Sequence, residues 1–348
     1  HIGDYVLFRN YIELIKNSNK YKDYSITLLG NSEWKDFSEE LDNKYIDNFI
    51  SLNREKFEKN FIYRYKKLQE LASSGYEVIL SPVYSREFFV VDNIVKLVPA
   101  KEKIGSIGNF SNLKRWQKNI SDNYYTTLID AKKQSIFEFN RNKEFFENLL
   151  ETKFDLIKPN IFLKNTEIEI KLPKKYAILF LGGTGKIKKW GLQNFAKIGN
   201  YLKKQYGYDI VLCGAPSDKN DAKEFLEYYG GDILNLVGKT SLINLSKVIY
   251  YSDFILSNDT LAPHIAVALH KKSIFVIYNG NHFGRFIPYP KEITKNFHVI
   301  YHPFISKNLS IYKKLSNSYG FKSNLDINEI SYDMVRDKIN QVMKDLSI

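Results

Sequence analysis

The sequence has little of what several large classes of protein need. It contains one cysteine, Cys213, among 348 residues, which excludes an internal disulfide framework and a zinc site built from several thiolates. No apolar run approaches the roughly 20 residues that span a bilayer, which excludes an ordinary membrane-spanning helix. We therefore expect a soluble protein in a reducing, cytoplasmic compartment.

Several motifs for cofactors and metals are also absent. No Gly-x-Gly-x-x-Gly follows a predicted strand, which argues against a nicotinamide-dependent dehydrogenase. The stretch Gly182–Ile187 is not a P-loop, because its glycines and lysine are wrongly spaced and no Ser or Thr follows Lys186. The chain has no Asp-x-Asp, and His264 and His270 do not form a His-Glu-x-x-His motif. We therefore expect no metal site and no cofactor.

What the chain does have is an excess of positive charge. Its 51 Lys and Arg residues outnumber 39 Asp and Glu, giving a net charge of +12 and a pI near 9.3. This charge favours an anionic partner, and nucleotide-linked substrates, anionic lipid and nucleic acid share the phosphate that would fit. Only Phe110–Tyr125 gathers basic and aromatic residues on one segment, so we do not expect nucleic acid to be the partner.

Short apolar runs alternate with amphipathic stretches through the second half of the chain. Continuous apolar strands separated by helices indicate a parallel sheet that is covered on both faces. We therefore predict a doubly wound α/β domain here. The successive segments are Tyr176–Leu181, Leu192–Tyr206, Asp209–Cys213, Asp218–Tyr229, Leu242–Tyr250, Asp253–Ser257, Ala262–His270 and Ser273–Tyr278.

The first half shows the same alternation less clearly. The chain opens in a helix, whereas a doubly wound domain normally starts with a strand. We therefore expect a first strand to precede His1 in the natural chain, with Gly3 and Asp4 in the first strand-to-helix turn. The predicted elements are helices at Asp4–Asn17, Glu55–Ser74 and Glu87–Leu97, strands at Tyr24–Leu29 and Glu77–Ser81, and a strand or loop at Ile104–Asn109.

A linker is predicted near the middle of the chain. Residues 151–173 contain Lys158, Pro159 and Pro173 and show no clear helical or strand pattern. We therefore expect an N-terminal domain of residues 1–172 and a second domain of residues 173–327. Residues 328–348 are predicted to form an amphipathic helix that packs back across both domains.

The stretch Ser252–Leu269 carries the most chemical information. A buried strand ends at Ser257, and Asp259 or Thr260 then caps a helix. The helix N-terminus would present unpaired backbone donors and a positive dipole to a diphosphate, with side-chain hydrogen bonds from Thr260 and His264. The same residues fit an ordinary capped helix in which His264 is partly buried, and both interpretations stand at this point.

The same stretch resembles a known protein family. Asn258–Thr260 followed by His264–Leu269 is similar to the signature of the heptosyltransferase-like glycosyltransferases, family 9, which have the two-domain GT-B fold. The stretches Cys213–Asp218 and Asn235–Leu242 are similar to that family's approach to the signature. The resemblance is specific for residues 176–280 and implies the GT-B fold for the whole chain.

Two further matches lie outside that block. His1–Leu7 resembles the family's opening Gly-Asp turn, and the resemblance implies that Asp4 is the catalytic base. Lys188–Trp190 resembles its Lys-x-Trp motif, which implies that Lys188 steadies the leaving phosphates. The chain departs from the family at Leu261, where the family usually has the Gly that permits the closest backbone approach.

The resemblance and the position at the ligand edge together suggest two sets of binding residues. Asp218 fits two roles equally well, a contact to ribose hydroxyls or a cap of the following helix. Arg285, in a glycine-containing loop, could bind phosphate or sugar or form a surface ion pair. The expected donor-binding residues are Thr184, Lys188, Asp218, Asp259, Thr260, Leu261, Ala262, His264 and Arg285, and the expected acceptor-binding residues are Gly3, Ser85 and Arg86.

On this resemblance the chain is identified as a GT-B glycosyltransferase with two Rossmann-like doubly wound domains. The resemblance implies inverting, metal-independent transfer of a heptose-like or other sugar from a nucleoside diphosphate sugar to a glycolipid or oligosaccharide acceptor, in lipopolysaccharide or surface-glycan synthesis. The basic charge would hold the enzyme at the inner membrane face without insertion. The alternatives are a nucleotide-sugar epimerase or phosphorylase of the same fold, and a non-catalytic module that binds anionic glycan or RNA.

Overall fold

The computed structural model describes residues 2–183 and 185–346. The chain divides into two compact units after Leu156, earlier than the boundary placed at residue 172. The segment that follows packs with the second unit, where the backbone N–H of Ile161 donates to the carbonyl of Ala268 at 2.9 Å and the Ile161 side chain is buried. Residues 157–172 form no helix or strand, so their sequence has the pattern of a linker although they belong to the second unit. This explains why the boundary was predicted too late in the chain.

The first unit contains two small parallel sheets. Its strands are β1 (Thr27–Asn31), β2 (Asn48–Leu52), β3 (Val78–Ser81), β4 (Glu102–Ser106) and β5 (Thr127–Ile129). Strand β1 pairs with β2 in one sheet, and β3, β4 and β5 are neighbours in the other. Most residues of these strands are only half-buried, so the sheets lack the continuous apolar faces of the second unit.

The helices of the first unit are short, and three of them pack together. Helices α1 (Ile2–Phe8) and α2 (Asn10–Lys16) lie against α8 (Glu138–Leu150), where the ring of Tyr11 stacks on Phe146 with centroids 5.4 Å apart. The helices are α1 (Ile2–Phe8), α2 (Asn10–Lys16), α3 (Lys35–Asp42), α4 (Arg54–Lys59), α5 (Phe61–Ser73), α6 (Val91–Leu97), α7 (Arg115–Ser121) and α8 (Glu138–Leu150).

The stretch predicted as one long helix, Glu55–Ser74, is two helices. The backbone of Asn60 is extended, with φ −116° and ψ 108°, and separates α4 from α5. Its side-chain carbonyl accepts the backbone N–H of Tyr63 at 2.9 Å and so caps α5. The prediction was wrong at Asn60 because this local side-chain hydrogen bond outcompetes helix continuation.

The second unit is built around one six-stranded parallel sheet. Its strands are β6 (Tyr176–Phe180), β7 (Asp209–Cys213), β8 (Ile233–Asn235), β9 (Phe254–Asn258), β10 (Ile274–Tyr278) and β11 (Phe297–Tyr301). Their order across the sheet is β11, β10, β9, β6, β7, β8, with every neighbouring pair parallel. This is the doubly wound arrangement that the alternation predicts.

The central strands and the covering helices form one apolar core. Every residue of β6, β9 and β10 is buried. Helices α9 (Leu192–Tyr206) and α10 (Lys219–Tyr229) end at Gly207 and Gly230, whose φ angles of 70° and 64° are readily adopted by glycine. The helices are α9 (Leu192–Tyr206), α10 (Lys219–Tyr229), α11 (Leu242–Tyr251), α12 (Leu261–Ala268), α13 (Pro303–Lys307), α14 (Tyr312–Tyr319) and α15 (Tyr332–Leu346).

The C-terminal amphipathic helix is α15. It packs on α9 and β11, and Val335, Ile339 and Val342 on its inner face belong to the core of the second unit. Packing across both domains stays a prediction. Within residues 2–183 and 185–346, no helix combines the length and the apolar composition that a membrane span requires.

Candidate functional site

The order of strands in the second unit marks where a ligand would bind. The chain runs from β6 outward to β7 and β8 on one side, and β9, β10 and β11 lie on the other side of β6. In a doubly wound sheet the loops diverge at such a switch point and leave a crevice at the carboxyl ends of the strands. The loops that follow β6 and β9 therefore flank the crevice.

An ion pair joins these two loops. The ammonium of Lys188, in a 3₁₀ turn after β6, lies 3.1 Å from Oδ2 of Asp259, which follows β9. Both side chains are largely buried, at 16% and 10% exposure. The structure thus brings two of the predicted donor-site residues into direct contact and fixes the position of the Lys188 charge.

Two asparagines anchor the loop that carries Lys188. The side-chain amide of Asn258 donates to the carbonyl of Leu181 at 2.9 Å, and its Oδ1 accepts the backbone N–H of Trp190 at 3.2 Å. The amide of Asn279 donates to the carbonyl of Ile187 at 3.0 Å. Buried hydrogen bonds of this kind hold the loop rigid and preorganise the Lys188 ammonium. Neither asparagine was predicted as a site residue from the sequence.

Helix α12 begins beside Asp259. Thr260 is at its N-cap position, which agrees with the predicted helix start, but the side chain makes no capping hydrogen bond. Its hydroxyl lies instead 3.0 Å from the hydroxyl of Ser257. Leu261 and Ala262 occupy the first two helical positions, so their backbone N–H groups and the positive end of the dipole lie at the carboxyl edge of the sheet. Contact between these groups and a donor stays a prediction.

His264 is an interior residue of α12. It is 4% exposed, and its Nδ1 lies 2.8 Å from the hydroxyl of Tyr289. Its ring also packs against Phe286, at 6.4 Å between centroids. This surrounding fits the interpretation of a buried histidine in an ordinary helix, and a contact to the diphosphate stays a prediction.

The loop after β10 brings a second cation to the same edge. Arg285 is 9% exposed, and its guanidinium lies over the rings of Phe286 and Phe321, 5.4 and 5.3 Å from their centroids. Burial lowers the pKa of His282, and the nearby charges of Lys188 and Arg285 lower it further. The lowered pKa favours the neutral imidazole of His282 beside these two cations, and His282 was not predicted as a site residue from the sequence.

Asp218 is engaged within the protein. Its carboxylate accepts the backbone N–H of Ala215 at 2.9 Å and the ammonium of Lys189 at 3.0 Å, and the residue is 4% exposed. A Cβ placed on Gly182 would lie 2.5 Å from Oδ2 of Asp218, so this carboxylate also packs closely on the turn after β6. Asp218 occupies the N-cap position of α10, but its side chain makes no capping hydrogen bond there, and a contact to ribose hydroxyls stays a prediction. Thr184, another expected donor-binding residue, lies outside the described residues.

Two of the predicted site residues near the start of the first unit are helical. Gly3 and Asp4 lie in the first turn of α1, rather than in a strand-to-helix turn of the described chain. Tyr5, Val6 and Leu7 of the same helix are buried, whereas Asp4 is only half-buried. A partly accessible carboxylate suits a general base, and that role for Asp4 stays a prediction.

The structure does not support acceptor binding by Arg86. Its side chain is fully buried, and its guanidinium donates to a carboxylate oxygen of Asp122 and, at 3.2 Å, to the hydroxyl of Ser121. It also lies over the ring of Tyr125 at 4.9 Å. These contacts make Arg86 a structural residue of the first unit, which its position after a predicted strand could not reveal. Acceptor contact by the neighbouring Ser85 stays a prediction.

Within residues 2–183 and 185–346, no group of three or more His, Cys, Asp or Glu side chains is arranged to hold a metal ion.

The fold of the chain is similar to those of solved glycosyltransferases. A glycosyl transferase of family 9 from Veillonella parvula has a TM-score of 0.73 at 16% identity, covering 99% of this chain and 95% of that chain. E. coli heptosyltransferase WaaC with ADP-2-deoxy-2-fluoro heptose has a TM-score of 0.69 at 16% identity, covering 98% and 96%. E. coli ADP-heptose LPS heptosyltransferase II has a TM-score of 0.68 at 15% identity, covering 100% and 97%. This likeness confirms the predicted GT-B fold class.

The sequence itself carries a family signature. A family model described as glycosyltransferase family 9 (heptosyltransferase) matches residues 91–313, which is more than half of the chain. The match begins in the first unit and includes the whole crevice of the second. No curated protein matches the sequence.

Proposed function

Because the chain belongs to glycosyltransferase family 9, the heptosyltransferase family, we propose that it moves a heptose-like or other sugar from a nucleoside diphosphate sugar to a glycolipid or polysaccharide acceptor. The chain is a glycosyltransferase with the GT-B fold. We assign donor binding to residues of the second unit and removal of the acceptor proton to a residue of the first unit.

The pairing of Lys188 with Asp259 at the switch point carries the proposal. An ammonium held between the loops after β6 and β9, next to the first turn of α12, suits a diphosphate. Negative charge grows on the diphosphate as the sugar leaves, so Lys188 and the backbone N–H groups of α12 would stabilise the transition state. These groups supply positive charge without a divalent ion, and we therefore propose metal-independent transfer with no cofactor.

The acceptor proton is assigned to Asp4 in the first unit. In a single displacement, the acceptor oxygen bonds to the anomeric carbon while the bond from that carbon to the diphosphate breaks. The hydroxyl proton passes to the Asp4 carboxylate as the new bond forms. Attack from the face opposite the leaving group inverts the anomeric configuration, so the proposed reaction is inverting.

The relatives suggest the class of substrate. WaaC carries ADP-2-deoxy-2-fluoro heptose, and a second relative is an ADP-heptose LPS heptosyltransferase. We propose an ADP-linked or other nucleoside-diphosphate-linked sugar as the donor for this chain. The proposed acceptor is a glycolipid of lipopolysaccharide or another surface glycan, reached from the cytoplasmic side of the membrane.

A panel of nucleoside diphosphate sugars tests the proposed function. A donor that binds only the folded protein must raise the melting temperature, and the same donor should then be transferred to a glycolipid acceptor in a mass-spectrometric assay. Release of an epimerised nucleotide sugar, or of a sugar phosphate without acceptor, would favour an epimerase or phosphorylase. No melting response to any donor would contradict the proposal.

A further inference from the structure

The basic and aromatic segment Phe110–Tyr125 is partly structural. The ammonium of Lys118 lies 2.8 Å from a carboxylate oxygen of Asp122, and the hydroxyl of Tyr125 donates to Asp92 at 2.7 Å. Lys118 and Tyr125 are both only 8% exposed. These two side chains stabilise the interior of the first unit, which leaves the exposed members of the segment without an assigned purpose.

The exposed members form an apolar face on helix α7. Trp116 and Ile120 are four residues apart, hence on one side of the helix, and are 52% and 45% exposed. The ring of Trp116 lies 5.5 Å from that of Phe88, which lies 5.1 Å from that of Phe89. Phe89 is itself 59% exposed, so the aromatic contact continues across the surface from α7 to the segment before α6.

The same surface extends to helix α5. The guanidinium of Arg64 on α5 donates to the backbone carbonyl of Phe89. Phe61 and Tyr65 lie on either side of Arg64 along the helix and are 83% and 62% exposed. We call the set of Phe61, Tyr65, Phe88, Phe89, Trp116 and Ile120 the aromatic surface.

Positive charge lies beside the aromatic surface. The ammonium of Lys96 lies 5.1 Å from the ring centroid of Tyr124, whose ring is 6.4 Å from that of Phe88. Lys114 and Arg115 are exposed and directly precede Trp116 in the sequence. These cations supply the charge that attracts an anionic surface.

The acidic groups nearby are already paired. The carboxylate of Glu87 lies 2.8 Å from the guanidinium of Arg54. The carboxylate of Asp122 is shared by Arg86 and Lys118. Glu58 and Glu87 share Arg54, and Asp92 and Asp122 share Arg86 and Lys118. The further cations Lys96, Lys114 and Arg115 therefore make the local charge at the aromatic surface positive.

We propose that the aromatic surface docks the first unit on an anionic lipid bilayer. Phe, Trp and Tyr side chains insert at the boundary between headgroups and acyl chains, while Lys and Arg contact the anionic headgroups. Ile120 on α7 and Ile62 on α5, which is 69% exposed, add aliphatic area that a nucleic acid would not use, since bases stack on aromatic rings. The combination therefore fits a bilayer better than RNA.

This inference goes beyond the proposed function, because docking requires neither a donor nor an acceptor. It accounts for a large exposed apolar area that a monomer in water would not need. It also predicts which unit lies on the membrane, which the sugar-transfer chemistry by itself does not.

Co-sedimentation of the full chain with lipid vesicles tests the apolar contribution. The wild type should bind vesicles of phosphatidylcholine with phosphatidylglycerol, and bind vesicles of phosphatidylcholine alone much more weakly. The double variant Phe89→Ser, Trp116→Ser should lose about tenfold or more in binding, because two rings no longer leave water. Phe162→Ser is the matched control, since Phe162 is 76% exposed in the second unit, and it should bind as the wild type does.

A pair of charge reversals tests the electrostatic contribution. Lys114→Glu should weaken binding to anionic vesicles by about tenfold, whereas Lys223→Glu at an exposed site of the second unit should have little effect. Melting temperatures near that of the wild type would show that the variants fold. Sugar transfer to an acceptor dissolved without membrane should remain unchanged, which separates a failure of docking from a failure of the proposed function.

Several outcomes would overturn the proposal. Recovery of the wild type in the supernatant with anionic vesicles, or equal sedimentation of the wild type and all variants, would contradict docking on a bilayer. If light scattering showed a dimer for the wild type and a monomer for the double variant Phe89→Ser, Trp116→Ser, with vesicle binding intact, the aromatic surface would be an interface between copies of the chain. A loss of single-stranded RNA binding with vesicle binding intact would assign it to nucleic acid.

Discussion

The two units differ in how their parallel strands are buried. In the second unit a single sheet of six strands has a fully buried centre, and every residue of β6, β9 and β10 is enclosed. In the first unit the strands belong to two smaller sheets, and most of their residues are half-buried. A closely packed sheet fixes the loops at its carboxyl edge, so the second unit is the better support for a site whose ligand does not vary.

The polar groups of the two units differ in the same way. In the second unit Asn258 and Asn279 hold the loop that carries Lys188 at the edge of the sheet. In the first unit Arg86 is enclosed with Asp122, away from solvent. Buried polar side chains thus hold a loop at the carboxyl edge of the sheet in the second unit, whereas in the first unit they stabilise the interior.

The largest expected effect is a loss of turnover on removal of the Asp4 carboxylate. It separates proton removal, assigned to the first unit, from donor binding, assigned to the second. Asp4→Asn should lower kcat by about a hundredfold or more, because a general base is lost, and should leave the dissociation constant of the nucleotide sugar nearly unchanged. Steady-state kinetics and calorimetry measure the two quantities. Asp23→Asn at an exposed position of the same unit is the control. Turnover within about threefold of the wild type would remove Asp4 from the mechanism.

Two adjacent lysines sharpen the comparison within the second unit. Lys188→Ala should lower kcat by about a hundredfold, because charge grows on the diphosphate in the transition state. Lys189→Ala should change kcat far less, because Lys189 pairs with Asp218 and Asp221 and its loss affects stability. Lys188→Arg should recover part of the activity. If Lys188→Ala changed only the KM for the acceptor, Lys188 would belong to acceptor binding.

A pair of isoleucines tests the difference in burial. Ile255→Ala in β9 removes a completely buried side chain and should lower the free energy of unfolding of its unit by roughly 3–5 kcal/mol. Ile50→Ala in β2 removes a half-buried side chain and should cost less than about 2 kcal/mol. Native-state hydrogen exchange reports the two units separately. Equal losses would contradict the stated difference between the sheets.

The smallest expected effect is a pH dependence in the second unit. Burial, with a contribution from Lys338, lowers the pKa of His298 in β11 to about 4. Between that value and the ordinary value near 6.5 the unfolded chain binds a proton that the folded chain does not, so stability falls as the pH falls. His298→Phe keeps a ring against Phe275. When the pH is lowered from about 7 to about 5, the melting temperature of this variant should fall less than that of the wild type. An unchanged pH dependence would exclude His298 as a contributor.

The fold could be predicted from the sequence where every residue of a strand is buried. The strands around β6 and β9 read as unbroken apolar runs, so the parallel sheet and the helix start at Thr260 were predictable. The short half-buried strands β2 and β5 were missed, because a few partly exposed residues give no distinct period.

The site itself was predictable only in part. Lys188 and Asp259 were found by resemblance, and the structure joins them. Asn258, Asn279 and His282 were not predicted as site residues, because their contacts depend on which loops become neighbours across the sheet. An asparagine at the end of a buried strand or directly after it is the signal that could have been used, since a buried amide there must find partners.

A calorimetric titration of the protein with ADP tests the donor site most directly. The account predicts equal affinity with EDTA and with Mg²⁺, because Lys188 and the first turn of α12 supply the positive charge. It also predicts binding weakened about tenfold or more by Lys188→Ala, and unchanged by Lys59→Ala on the exposed face of the first unit. Binding that required Mg²⁺, or that did not respond to Lys188→Ala, would contradict the account.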